Sequence, residues 1–118
     1  MTPGLASARG AGSMIPDMPQ KAPALPPAVV NSKLGNFVTN VYKGTANRRR
    51  IGDGTTMDAV RNELVTGRPS GKVFHSVKAQ ETIDGLQNWL RLNPTAAPAD
   101  RDVAKELIQE LRNALGGK

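Results

Sequence analysis

The sequence predicts a small, mainly α-helical single domain closed by a C-terminal antiparallel helical hairpin, with one short strand pair as the α+β variant. Three observations predict it. Apolar residues recur at helical spacing through the last forty positions, Gly, Pro and Asx residues punctuate those periods, and the composition limits the core. With 38% hydrophobic and 3% aromatic residues in 118, that core must be built from Leu, Val, Ile and Ala, with Trp89 as its one large member, so stability should be modest.

The first thirty residues follow another pattern. Six of the nine prolines lie there, among Ala, Gly, Ser and Met and without periodicity. Residues 1–30 are therefore expected to form an extended or disordered leader, with residues 31–118 as the folded, basic part and residues 1–28 dispensable for stability and activity. The leader lacks the charged start and continuous apolar stretch of a secretory signal.

From Asn31 to Lys43, Leu34, Phe37, Val38 and Val41 fit a helix, while the run FVTNVY also suits a strand. Asp53-Gly54-Thr55-Thr56 offers an N-cap, with Thr55 three residues before Asp58, for a helix reaching about Val65 and stopped by Gly67 and Pro69. Met57, Val60 and Leu64 would share its apolar face. Gly71–His75 reads as a short extended piece. Ser76 is the expected cap of a helix running to about Leu92, with Ala79, Ile83, Leu86 and Leu90 as its stripe and Trp89 beside it. Asn93-Pro94 ends that helix. The last one begins near Pro98 and runs to Leu115, burying Val103, Leu107, Ile108, Leu111, Ala114 and Leu115 before Gly116 and Gly117 stop it. Two such helices joined by a short turn pack as a hairpin, with His75 at its entry.

Charge is concentrated in the middle of the chain. Residues 31–79 hold nine Lys/Arg against three acids, a net of +6, whereas residues 80–118 hold five against six, a net of −1. A localised basic segment speaks for a polyanionic partner, nucleic acid first. No stable membrane association is expected: there is no apolar run of spanning length, and the basic segment lacks a long amphipathic helix with aromatic anchors. Without cysteine, and with one histidine, thiol chemistry is excluded and a zinc site disfavoured, so no metal or other cofactor is expected.

The chemistry-bearing residues cluster in YKGTANRRRIGDGTT, from Tyr42 to Thr56, and in GKVFHS, which contains His75. RNA carries its own nucleophile, so cleavage requires a base for the 2′-OH proton, an acid for the leaving 5′-oxygen and cations over the phosphorane. Histidine is the side chain suited to moving protons near neutral pH, and His75 is the candidate base or acid. Glu63 and Tyr42 are candidates for the second proton carrier, with Asp53 a third. Lys43, Arg48, Arg49, Arg50 and Lys72 are candidate phosphate contacts, as are Thr55 and Thr56 at a helix N-terminus. Each residue has a structural alternative: an exposed histidine, a solvated arginine loop, a turn with an N-cap, and a core tryptophan. A metal-dependent nuclease using Asp53, Asp58 and Glu63 is a rival reading, although Asp58 and Glu63, five apart on one helix, do not point the same way. A non-catalytic nucleic-acid-binding or adaptor module is the reading from another class.

The run RIGDGTTMDAVRNELVTGRPSGKVFHSVKAQETIDGLQNWLRLNP and the hairpin after it, roughly Val41 to Gly117, resemble the C-terminal nuclease toxin domains of bacterial polymorphic toxins of the contact-dependent inhibition and Rhs type. The resemblance implies a toxin domain delivered from a bacterial effector and acting in the target-cell cytoplasm. It further implies an RNase, with tRNA among the candidate targets, neutralised by a cognate, acidic immunity protein.

Overall fold

The computed structural model describes residues 15–70 and 73–116. Four α-helices are found among them: α1 (Ser32–Tyr42), continued by a 3₁₀ turn over Lys43–Ala46, α2 (Thr56–Thr66), α3 (His75–Leu92) and α4 (Pro98–Ala114). The only strand-like feature in this range is one isolated antiparallel bridge between Ser70 and Val73. The fold is mainly α, and the segment 31–43 that suited either helix or strand is helical. None of these helices is long and apolar enough to cross a membrane.

The hairpin of α3 and α4 forms the base of the molecule. Ala79, Ile83, Leu86 and Trp89 from α3 meet Ala104, Leu107, Ile108, Leu111 and Ala114 from α4 in one buried cluster. Leu90, Val103 and Leu115 are only partly buried and pack at its edge. Arg101 reaches back across the turn and donates from Nη1 to the carbonyls of Leu90 (2.9 Å) and Asn93 (2.6 Å). A cation thus satisfies free carbonyls where α3 ends, which locks the two helices into register.

Helix α1 adds Leu34, Val38 and Val41 to the same cluster. Its cap, Asn31, does two jobs with one oxygen, accepting from Leu34 N–H at 3.0 Å and from Trp89 Nε1 at 3.2 Å. Trp89 is 3% exposed with its indole N–H satisfied, so it belongs to the core and offers no stacking surface.

Helix α2 begins where the GDGTT segment predicts, because Thr55 accepts the Asp58 N–H, and ends at Gly67 in the left-handed conformation. Its burial pattern differs from the expected stripe. Met57 and Val60 are inside, Leu64 is 59% exposed, and the other buried face consists of Asp58, Asn62, Glu63 and Thr66. Apolar periodicity cannot locate a face buried through polar groups, since each of these side chains is held by hydrogen bonds instead.

Residues 1–14, half of the expected leader, lie outside the described residues. Ile15–Val30 has no helix or strand, in keeping with its prolines, but is bonded to the body. Val30 and Asn31 N–H groups donate to the buried Asp100 carboxylate, the closest at 2.8 Å, and Met18 N–H donates to Asn62 Oδ1 at 2.7 Å. The boundary expected at residue 30 marks the start of helix rather than the start of contact. Composition predicts the absence of periodic structure, and says nothing of the buried acceptors that elsewhere await this segment's backbone.

Candidate functional site

The site is built around Glu63, which is 4% exposed. Its Oε1 accepts from the backbone N–H groups of His75 (2.8 Å) and Ser76 (3.1 Å), and its Oε2 from those of His75 (2.6 Å) and Ser70 (3.2 Å). Glu63 therefore caps α3 from another helix. This replaces the expected cap at Ser76: the residue in the N-cap position is Phe74, which makes no capping bond of its own. A carboxylate among the free N–H groups of a helix N-terminus is also favoured by the helix dipole.

The same Oε2 lies 2.9 Å from His75 Nδ1. Burial by itself would raise the Glu63 carboxyl pKa, but the hydrogen bonds from the His75 backbone and ring, then from Ser70 and Ser76, outweigh it and hold the group below its ordinary 4.5. Glu63 is ionised at neutral pH and can only accept. In the neutral imidazole the ring proton then sits on Nδ1 and the lone pair on Nε2, on the side of the ring away from Glu63. The imidazole is about a quarter exposed.

His75 opens onto a cleft between the 3₁₀ turn, the loop before α2 and the start of α3. The cleft consists of two adjoining hollows that share Gly44, Asn47, Gly54, Thr55, Ala59 and His75: Arg49, Arg50 and Ile51 line one, and Val41, Lys43 and Lys78 the other. Two glycines allow the walls to meet. Gly54 has a φ of 87°, and a Cβ there would fall 2.5 Å from Thr45 Cα and 2.6 Å from the Gly44 carbonyl oxygen. A side chain at either glycine would push the arginine loop off the 3₁₀ turn and open the cleft.

The cleft gathers His75, Lys43, Arg49 and Arg50 from the residues predicted for the site, with Glu63 behind the imidazole. Glu63 does not line the cleft: its two oxygens are taken by the Ser70, His75 and Ser76 N–H groups and by the His75 ring. Tyr42 is absent from the cleft. It is half-buried against the core and faces a separate hollow with Asp53, Met57, Arg61 and Glu110; burial, and then the charges of Glu110, Asp53 and Glu106, raise its pKa. Arg48 is exposed and outside the cleft, its carbonyl taken by Gln20 Nε2 at 2.5 Å.

Thr55 and Thr56 border the cleft but are buried, with their hydroxyls committed. Thr55 Oγ1 donates to Asp53 Oδ1 (2.6 Å) while capping α2, and Thr56 Oγ1 donates to the Val41 carbonyl (3.4 Å). Both hydroxyls, and the Thr55 N–H, which donates to Asp53 Oδ1 at 2.9 Å, are thus committed within the wall. Lys72 lies outside the described residues. Asp53, Asp58 and Glu63 do not converge: Asp58 pairs with Lys21 and Arg61 while Glu63 faces His75, and no group of three metal-ligating side chains forms among the described residues.

Two lining residues, Lys78 and Asn47, were not expected in the site. Lys78 was legible in principle, since three residues after His75 on a helix is the same face. Asn47 was not: it shapes the loop, its Oδ1 accepting from Arg49 N–H at 2.8 Å and its carbonyl from Arg50 N–H at 3.1 Å, a contact that only the folded turn reveals. Comparison with protein-family models, curated proteins and solved structures finds no match to this chain.

Proposed function

We propose that this domain is a metal-independent endoribonuclease. The observation that carries the reading is an imidazole fixed through Nδ1 by a buried, ionised carboxylate and shared by two adjoining hollows, one lined by Arg49 and Arg50 and the other by Lys43 and Lys78. In that arrangement Nε2 of His75 takes the 2′-OH proton as the 2′-oxygen forms its bond to phosphorus. The bond from phosphorus to the 5′-oxygen breaks, and the leaving oxygen receives a proton from a cleft ammonium, Lys43 or Lys78, or from water. Arg49 and Arg50 offset the charge that develops on the phosphorane oxygens. Glu63 holds the tautomer and orientation of the imidazole, the part a carboxylate plays behind histidine in hydrolytic triads.

The biological setting extends the resemblance to polymorphic toxin domains: a toxin acting in the cytoplasm of a target bacterium and held in check by an acidic immunity protein whose charge complements the cleft. Incubating the purified chain with RNA in EDTA tests the chemistry. The expected result is fragments ending in 2′,3′-cyclic phosphate, with DNA left intact because it lacks the 2′-OH. Binding without cleavage would leave a nucleic-acid-binding module, and cleavage only when divalent metal is restored would assign the reaction to a metal site.

A further inference from the structure

Residues 15–30 do not line the cleft, yet they brace the loop that supplies its arginines. Gln20 Nε2 donates to the Arg48 carbonyl (2.5 Å), Lys21 N–H to that of Gly52 (2.8 Å) and Ala24 N–H to that of Asp53 (3.2 Å). The loop answers with Arg50 Nε, which donates to the Lys21 carbonyl at 3.0 Å. Within itself the loop has only short turn contacts, from Arg49 and Arg50 to Asn47 and from Gly54 N–H to the Ile51 carbonyl. Contacts of that kind leave a polar loop weakly ordered unless other parts of the chain hold it.

The anchor of this brace is Asp58, whose side chain is fully buried. Its Oδ2 lies 3.0 Å from Lys21 Nζ and accepts Asp53 N–H at 2.9 Å, and its Oδ1 takes Arg61 Nη1 at 2.8 Å. Gly52, at a φ of 59°, lets the layers close, because a Cβ there would collide with the Asp58 carboxylate and the Met18 sulfur. Without Lys21 the buried Asp58 carboxylate keeps Arg61 as its one cation and loses the partner at Oδ2, so docking of Lys21 and the shape of the loop are coupled.

We propose that residues 18–24 are a positioning arm that sets Arg49 and Arg50 in the cleft, with Lys21 acting through Asp58 and Arg50 rather than by touching RNA. The cation cluster is complete only while the arm is docked. The coupling of arm to loop stands on the contacts alone; its consequence for RNA rests on the ribonuclease reading.

Full-length chains carrying Lys21→Glu, Lys21→Arg or Asp58→Asn test it, with amide hydrogen exchange and affinity for a 2′-O-methyl RNA oligonucleotide as readouts. Lys21→Glu should accelerate exchange about tenfold in both 15–30 and 47–54 while α3 and α4 keep their protection, and Lys21→Arg should restore the wild-type pattern. Asp58→Asn makes the protein more positive, so direct electrostatics would strengthen RNA binding, whereas release of the arm weakens it. Faster exchange confined to 15–30, or spread evenly through every helix, would overturn the arm. A loosened loop with unchanged RNA affinity would uphold the arm and remove Arg49 and Arg50 from the RNA site.

Discussion

The hairpin α3–α4 and helix α2 are buried by opposite means. The hairpin excludes water with Ile83, Leu86, Trp89, Leu107 and Leu111, whereas α2 turns Asp58, Asn62, Glu63 and Thr66 inward and satisfies each by hydrogen bonds. The first kind of burial gives stability without regard to chemistry. The second costs desolvation and returns position: Glu63 fixes the entry to α3 and the imidazole, and Asp58 and Asn62 hold the arm, while Thr66 closes the end of its own helix. The division of labour places the cleft on the polar-buried side of the fold and its rigidity on the apolar side.

Substitutions on the two sides should therefore separate stability from activity. The largest loss of stability is expected for Leu86→Ala, a fully buried side chain, at about 2–5 kcal/mol by chemical denaturation, with cleavage per folded molecule retained. Glu63→Gln should cost less, about 1–3 kcal/mol, because an amide cannot accept all the N–H groups gathered there, but it should lower cleavage on the order of 10²-fold by freeing the imidazole. Equal stability losses with no difference in activity would erase the distinction between the two regions.

The acid limb of stability sharpens the same comparison. Glu63 has its folded pKa below the ordinary 4.5, and Asp58, despite a burial effect that opposes it, is held below 3.8 by the Asp53 backbone N–H and by Lys21 and Arg61. A carboxyl depressed on folding contributes stability that is fully present above its unfolded pKa and lost as pH falls through its folded pKa. Unfolding free energy should decline below about pH 4.5, and the decline should be shallower in Glu63→Gln while Leu86→Ala keeps the wild-type slope.

The contrast also explains what could be read from the sequence. The hairpin, its turn and most of its buried residues follow from apolar spacing and the Asn93-Pro94 stop, although the start of α3 at His75 does not, and Thr55 could be assigned as a cap from its distance to Asp58. His75, Arg49, Arg50 and Lys43, singled out by their chemistry, meet around the cleft. What escaped depended on pairing across distance: Glu63 as the cap of α3, Tyr42 turned toward Glu110, and Lys21 joined to Asp58 over 37 positions. A carboxylate's partner is fixed by how helices cross, which no local pattern encodes.

Smaller effects should distinguish the arginines. Neutralising Arg49 and Arg50 should flatten the dependence of log affinity on log salt by about 0.7–0.9 per lost phosphate contact, and Arg48→Ala should change it little, since Arg48 lies outside the cleft. Equal effects at all three would mean that the loop acts as an undirected charge patch.

The most direct measurement is RNA cleavage by His75→Ala. The variant should fold, because the Glu63 carboxylate keeps the backbone N–H groups of Ser70, His75 and Ser76 when the ring is gone, and its hydrogen-exchange pattern and affinity for 2′-O-methyl RNA should match the wild type. Its cleavage rate in EDTA should fall by about 10²–10⁴. A folded His75→Ala protein that cuts RNA at the wild-type rate would contradict the account.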